Sequence, residues 1–169
     1  MNAQDFLKTV PFFAETLSGD QLHALAAAGK TRTLAVGSTL IREDDRSESM
    51  FVITEGEVTV TIREAGKESR VATLGKGEIV GEMSLLTGAR RSATVRADTP
   101  VTALEIDRNA IGPLLIDEPA LFDRFAETLE NRRVELDRVY GPMAHFYGAP
   151  HDDLAIVIRT FFSEPRKAG

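Results

Sequence analysis

The chain has 169 residues, 43% of them hydrophobic and 27% charged, with a formal net charge of -6 and no cysteine. That length suffices for one domain with a core and appended helices, while the lack of cysteine excludes disulfides, a thiol nucleophile and a cysteine-held metal. The acidic balance argues against a surface devoted to nucleic acid, whose phosphates need clustered Lys and Arg.

The opening MNAQDFLKTV lacks the basic end and apolar stretch of a secretion signal. No apolar run approaches the ~20 residues of a membrane-spanning helix, so a cytoplasmic location without membrane insertion is expected. Asp5, Phe6, Leu7 and Val10 read as a short helix that Pro11 ends or bends. Ser18-Gly-Asp-Gln21 reads as a capping box, with Leu22, Leu25 and Ala26 as the apolar stripe of the helix it starts and Gly29 as its stop.

From Thr31 the pattern changes to short β-rich runs separated by turn residues: TRTLAV, GSTLI, SMFVIT, EGEVTVTI, ESRVATL, SATVRA and VTALEI. In EVTVTI, Val58, Val60 and Ile62 share one face and Thr59 and Thr61 the other, which predicts a half-buried strand. EAGK after it predicts a hairpin turn. Many short strands with little helical pattern between them predict a sandwich or jelly roll.

One stretch departs from that pattern. Residues 80 to 95 read VGEMSLLTGARRSATV, with charges threaded through Met83, Leu85, Leu86 and Val95, and Glu82 to Leu86 fits one helical turn. Glycines let backbone N–H groups approach an anion. The start of a helical turn offers further N–H groups, arginine a permanent charge whose fork fits two phosphate oxygens, and serine a hydroxyl. A carboxylate repels a phosphate but accepts from a sugar hydroxyl beside it. Gly81, Glu82, Arg91, Ser92 and Ala93 together therefore read as a site for a phosphate attached to a ribose.

Beyond the strands, Asp107 predicts a cap for NAIGPLLI, and Asp117 with Pro119 the start of a helix over about 119–140, ended by Gly141-Pro142. Leu121, Phe125, Leu129 and Leu136 form its stripe, interrupted by Arg132 and Arg133. Leu154, Val157, Ile158, Phe161 and Phe162 follow i, i+3, i+4, i+7, i+8, which predicts a short amphipathic helix capped by Asp152 or Asp153. His23, His145 and His151 form no ligand spacing, so no metal is expected. No catalytic set is found either, so no enzyme is expected.

GEMSLLTGARRSATV resembles the phosphate-binding cassette of the cyclic nucleotide-binding domain family, in which Gly-Glu is followed nine to eleven residues later by Arg-[Ser/Thr/Ala]-Ala. The resemblance extends over the order of elements from about Phe6 to Tyr140. It implies a mainly β fold: an eight-stranded jelly roll over 31–106 with N-terminal helices, a hinge helix and a lid helix over about 119–140. The domain would span 1–140, and 141–169 would be an extension with the amphipathic helix.

Carried over by residue, the resemblance implies that Glu82 accepts from the ribose 2′-hydroxyl and that Arg91 pairs with the cyclic phosphate. Gly81, Ser92 and Ala93 would add backbone or hydroxyl contacts, with Met83 and Ser84 completing the cassette. Val71 and Ala72 would line the base, and Arg132, Arg133, Leu136 or Tyr140 would cap it from the lid. Arg90 falls where the family varies and reads as solvated. Val80 stands where an aromatic residue is common, and EDDRSES, 43 to 49, lacks the glycine usual in that turn, although Asp tolerates a left-handed backbone.

The resemblance thus implies a non-catalytic regulatory module for cAMP or cGMP, with cAMP slightly favoured, acting through movement of hinge and lid on an unidentified effector. The 29 residues after Tyr140 are not basic and hold no DNA-reading motif, so a stand-alone transcription factor is not expected. The alternative is a domain of this family that has lost its ligand. Glu82 and Arg91 would then be a structural ion pair, and the apolar face of 154–162 would dock a partner. Homo-oligomerisation through the lid helix and residues 152–163 is the remaining expectation.

Overall fold

The computed structural model describes residues 1–140 and 154–163, and of Leu136, Asp137, Val139, Tyr140 and Leu154 the backbone alone. Three short helices come first: α1 (Ala3–Leu7), α2 (Pro11–Ala14) and α3 (Gly19–Ala28). Pro11 opens α2, where its missing N–H costs nothing. Ser18 and Gln21 form the full capping box of α3. Gly29 ends α3 with extended backbone, and its missing side chain makes room for Leu104, whose Cδ1 would lie 2.8 Å from a Cβ there.

Eight strands follow in two antiparallel four-stranded sheets. One sheet runs in the order β1 (Lys30–Leu34), β8 (Val101–Asp107), β3 (Ser49–Glu55), β6 (Ile79–Val80). The other runs β2 (Thr39–Ile41), β7 (Thr94–Ala97), β4 (Val58–Glu64), β5 (Lys67–Leu74). The expected jelly roll with flanking helices is the fold. In β4, Val58 and Val60 are buried while Thr59 and Thr61 are half-buried, as the alternation predicts, but Ile62, past a register shift between Val60 and Thr61, is only half-buried. Ala65 and Gly66 both have positive φ at the turn into β5, the conformation a two-residue hairpin requires.

β3 is buried on both faces, hence its unbroken apolar run MFVI after Ser49. Phe51 and Ile53 join Val58, Val60, Ala72, Val95 and Ala103 between the sheets. Met50 and Val52 point the other way, with Leu104 and Ile106, into a second core built with the helices.

A one-turn helix, α4 (Glu82–Thr87), interrupts the strands between β6 and β7. After β8 come α5 (Arg108–Asp117), α6 (Ala120–Tyr140) and α7 (Leu154–Ser163). Asp107 caps α5 through the Ala110 N–H, as its sequence predicts. Asp117 does not begin a helix, as the sequence reading has it, but closes α5. Glu118 precedes a proline, which disfavours helical backbone, and lies at φ -131°, ψ 86°. The expected helix ends at Gly141-Pro142 and at Asp152 or Asp153 lie outside the described residues.

Candidate functional site

Gly81 and Gly88 bracket α4, both left-handed at φ 86° and 75°. Gly81 also has a steric reason to be glycine. A Cβ there would lie 2.5 Å from Arg91 Nη1 and 3.0 Å from the Ser49 carbonyl oxygen. The chain thus turns left-handed at the one place where the Arg91 guanidinium must pass against its backbone.

Arg91 is only 4% exposed. Its Nη1 donates to the Gly81 carbonyl at 3.2 Å and its Nη2 to Ser49 Oγ at 3.0 Å. Its backbone is gripped by the β2–β3 turn: its N–H donates to the Asp45 carbonyl and its carbonyl accepts from Asp44 N–H. Asp44 stands at φ 69°, so aspartate supplies the left-handed residue of that glycine-free turn. Among the described residues no carboxylate comes within ion-pair distance of Arg91. Burial pulls its pKa down to about 10, opposed at longer range by Glu82, Glu105 and Asp45, and it remains a cation at neutral pH. A buried guanidinium with no anion paired to it is costly.

Glu82, the first residue of α4, is 2% exposed. Arg132 Nε of α6 donates to its Oε1 at 2.6 Å, and Arg132 Nη2 donates to the Ile79 carbonyl at 2.8 Å. The carboxylate and Arg91 are therefore not an ion pair with each other, as the ligand-free alternative would have them; Arg132 of α6 supplies the cation instead. Gly81, Glu82, Met83, Ser84, Ser92 and Ala93 share the wall of one cavity of about 30 Å³ with Ile41, Val80 and Val95. That volume is about a tenth of the low end of small-molecule pockets, ~300 Å³, so an organic ligand needs the walls to part.

Of the other expected residues, Ala72 lies in the core between the sheets with Val71 packed against that core, and neither lines the cavity. Arg133 pairs with Glu130 of its own helix. Arg90 is exposed and donates to the Asp44 carbonyl. The side chains of Leu136 and Tyr140 lie outside the described residues. Sequence reading missed Ser49 and the walls Ile41, Val80 and Val95. Ile41 and Val95 become visible as inward residues only once β2 is paired with β7 in register.

The arrangement holds a cation in need of an anion beside a carboxylate able to accept hydroxyls. Comparisons with known proteins give the family of the chain. The family described as cyclic nucleotide-binding domain matches residues 31–118. A cAMP-dependent protein kinase regulatory subunit of Colletotrichum orbiculare is 34% identical over 112 residues, covering 66% of this chain and 28% of that protein. A cyclic nucleotide-gated potassium channel of Rhizobium etli is 33% identical over 145 residues, 82% of this chain and 38% of that one. The chain thus spans well under half the length of these relatives. Among solved structures, the N-terminal domain of a transcriptional regulator from Streptomyces coelicolor A3(2) superposes with a TM-score of 0.66 at 31% identity, over 79% of this chain and 96% of that one.

Proposed function

The chain belongs to the cyclic nucleotide-binding domain family, and from that premise we propose that it is a non-catalytic sensor whose α4 site takes cAMP or cGMP, with cAMP favoured. The observation that carries this reading is Arg91: a cation buried to 4% exposure, fixed by Gly81, Ser49 and the 43–49 turn, with no carboxylate paired to it among the described residues. A cyclic phosphate supplies the missing charge, and the arginine fork presents two donors to it. Glu82 accepts from the ribose 2′-hydroxyl, while the Ser92 hydroxyl and the Gly81 and Ala93 backbones close the ring of contacts.

The 2.6 Å pair between Glu82 and Arg132 connects the site to α6. A sugar hydroxyl that enlists Glu82 competes with Arg132. Ligand binding then favours the arrangement in which α6 has moved, and it does so only by the difference in affinity between the two arrangements. That movement of the hinge and lid helices is the signal passed to an effector, of the kind that kinases and channels among the relatives carry.

Calorimetric titration with cAMP and with cGMP tests the reading, alongside Arg91→Ala. Loss of a charge-assisted phosphate pair costs about 2–4 kcal/mol, or roughly 30- to 1,000-fold in affinity. Binding at micromolar or better that collapses in the variant is the expected result. A folded wild-type protein that binds neither nucleotide would sink the reading.

A further inference from the structure

The apolar face of α7 is seated on its own domain, where α4, α5 and α6 meet. Ile158 is fully buried in the cluster that holds Leu85 and Leu86 of α4, Leu115 of α5 and Leu121 of α6. Phe161 lies over Gly88, the left-handed residue that ends α4; a Cβ there would meet the ring at 2.5 Å. Phe162 packs edge-on against Phe122 of α6, 6.3 Å between centroids, and faces Gly112 of α5. Arg108, the first residue of α5, stacks its guanidinium on both rings, 4.4 Å and 5.0 Å from their centroids, and donates to the Phe161 carbonyl at 2.9 Å.

α4 is six residues long, about 9 Å at 1.5 Å per residue. The cavity lies at its first turn, at Glu82, Met83 and Ser84. α7 holds its other end, at Gly88, and its Leu85–Leu86 side. A helix that short moves as one piece. Parting the cavity walls to admit a ligand therefore disturbs the Phe161–Gly88 contact and the packing of Ile158.

We infer that α7 is a clasp that holds α4 in the closed position, so that docking of α7 and opening of the α4 site oppose each other. The inference rests on the proposed function only for the identity of the opening ligand. By reciprocity, whatever seats beside Arg91 loosens α7, and loss of α7 docking tightens binding by the same factor. The clasp makes α7 an output element: its apolar face, covered in the closed state, is released when the site fills.

Hydrogen exchange on the full chain tests this in wild type, Phe161→Ala and Ile158→Asp, each without nucleotide and with cAMP or cGMP. Without nucleotide, both variants are expected to exchange faster than wild type at the Leu85 and Gly88 amides, which close α4 onto Gly81 and Ser84, while β3 and β8 stay protected. Nucleotide affinity is expected to rise about 5- to 150-fold, the usual span of coupling between sites, and nucleotide is expected to speed exchange in wild-type α7. Unchanged α4 exchange in a variant whose α7 has become labile would overturn the clasp. So would an affinity that stays level or falls. Should Ile158→Asp also unfold β3 and β8, Phe161→Ala, which removes no fully buried side chain, decides. Should wild type bind neither nucleotide while α4 still loosens in the variants, the nucleotide reading fails and the clasp stands.

Discussion

At the scale of single residues, the site is built by subtraction as much as by charge. Gly81 lets the backbone turn left-handed and leaves the space that the Arg91 guanidinium occupies. Gly81→Ala offends on both counts. The left-handed backbone alone costs a residue with a Cβ about 1–2 kcal/mol, and the methyl falls 2.5 Å from Nη1 and 3.0 Å from the Ser49 carbonyl oxygen. The variant should lower the urea midpoint by at least that cost with an unchanged slope, and should weaken nucleotide binding because Arg91 must leave its position. An alanine variant as stable as wild type would show that the close approach does not constrain the site. That Gly81, Glu82 and Arg91 come together is legible in the sequence, because they sit at fixed spacings on one short segment. Ser49 was not: a serine at the edge of an apolar strand is unremarkable until the fold brings it to Arg91 Nη2. Arg132 was named only as one of four lid candidates, since nothing in a helix sequence says that it reaches Glu82 fifty residues away.

At the scale of elements, local signals that close on themselves were readable, and signals that depend on pairing were not. Ser18 with Gln21, Asp107 with Ala110 and the EAGK turn each satisfy their hydrogen bonds or backbone geometry within a few residues. β6, at two residues, has no periodicity to read and exists only because Phe51 and Val52 of β3 pair with it. Asp117 was assigned to the wrong side of a break because acidic caps and proline at a first turn are starting signals. The stronger rule is that the residue before Pro119 cannot stay helical, which puts Asp117 at an end. The Asp107 cap of α5 is a testable element. Asp107→Ala leaves the Ala110 N–H at the start of α5 without its acceptor and should cost about 1 kcal/mol. α5 carries Arg108, so fraying there should also speed exchange in α7. A loss of stability in urea with α7 exchange unchanged would uncouple the cap from the clasp.

At the scale of the molecule, the site is a meeting point of units that otherwise fold against different cores. Ser49 comes from the sheet backed by the helices, Ile41 and Val95 from the opposite sheet, Glu82 from α4 and Arg132 from α6. A ligand held there ties all of them together, so its binding energy should appear in the unfolding of the whole domain and not only in local order. At a free nucleotide concentration about 100 times Kd, binding to the folded state alone adds about 2.7 kcal/mol. At roughly 2–4 °C per kcal/mol for a chain of this size, the thermal midpoint should rise by roughly 5–11 °C. The rise should shrink to roughly 3 °C or less in Arg91→Ala at the same concentration, because the cation that carries the affinity is gone. Protection against hydrogen exchange should increase in both sheets under the same conditions, even as α7 loosens. Had the ligand bound the unfolded chain as well as the folded one, the midpoint would stay where it was. Scanning calorimetry with and without nucleotide measures that linkage, and exchange in the two sheets shows whether the ligand ties them together or orders α4 alone.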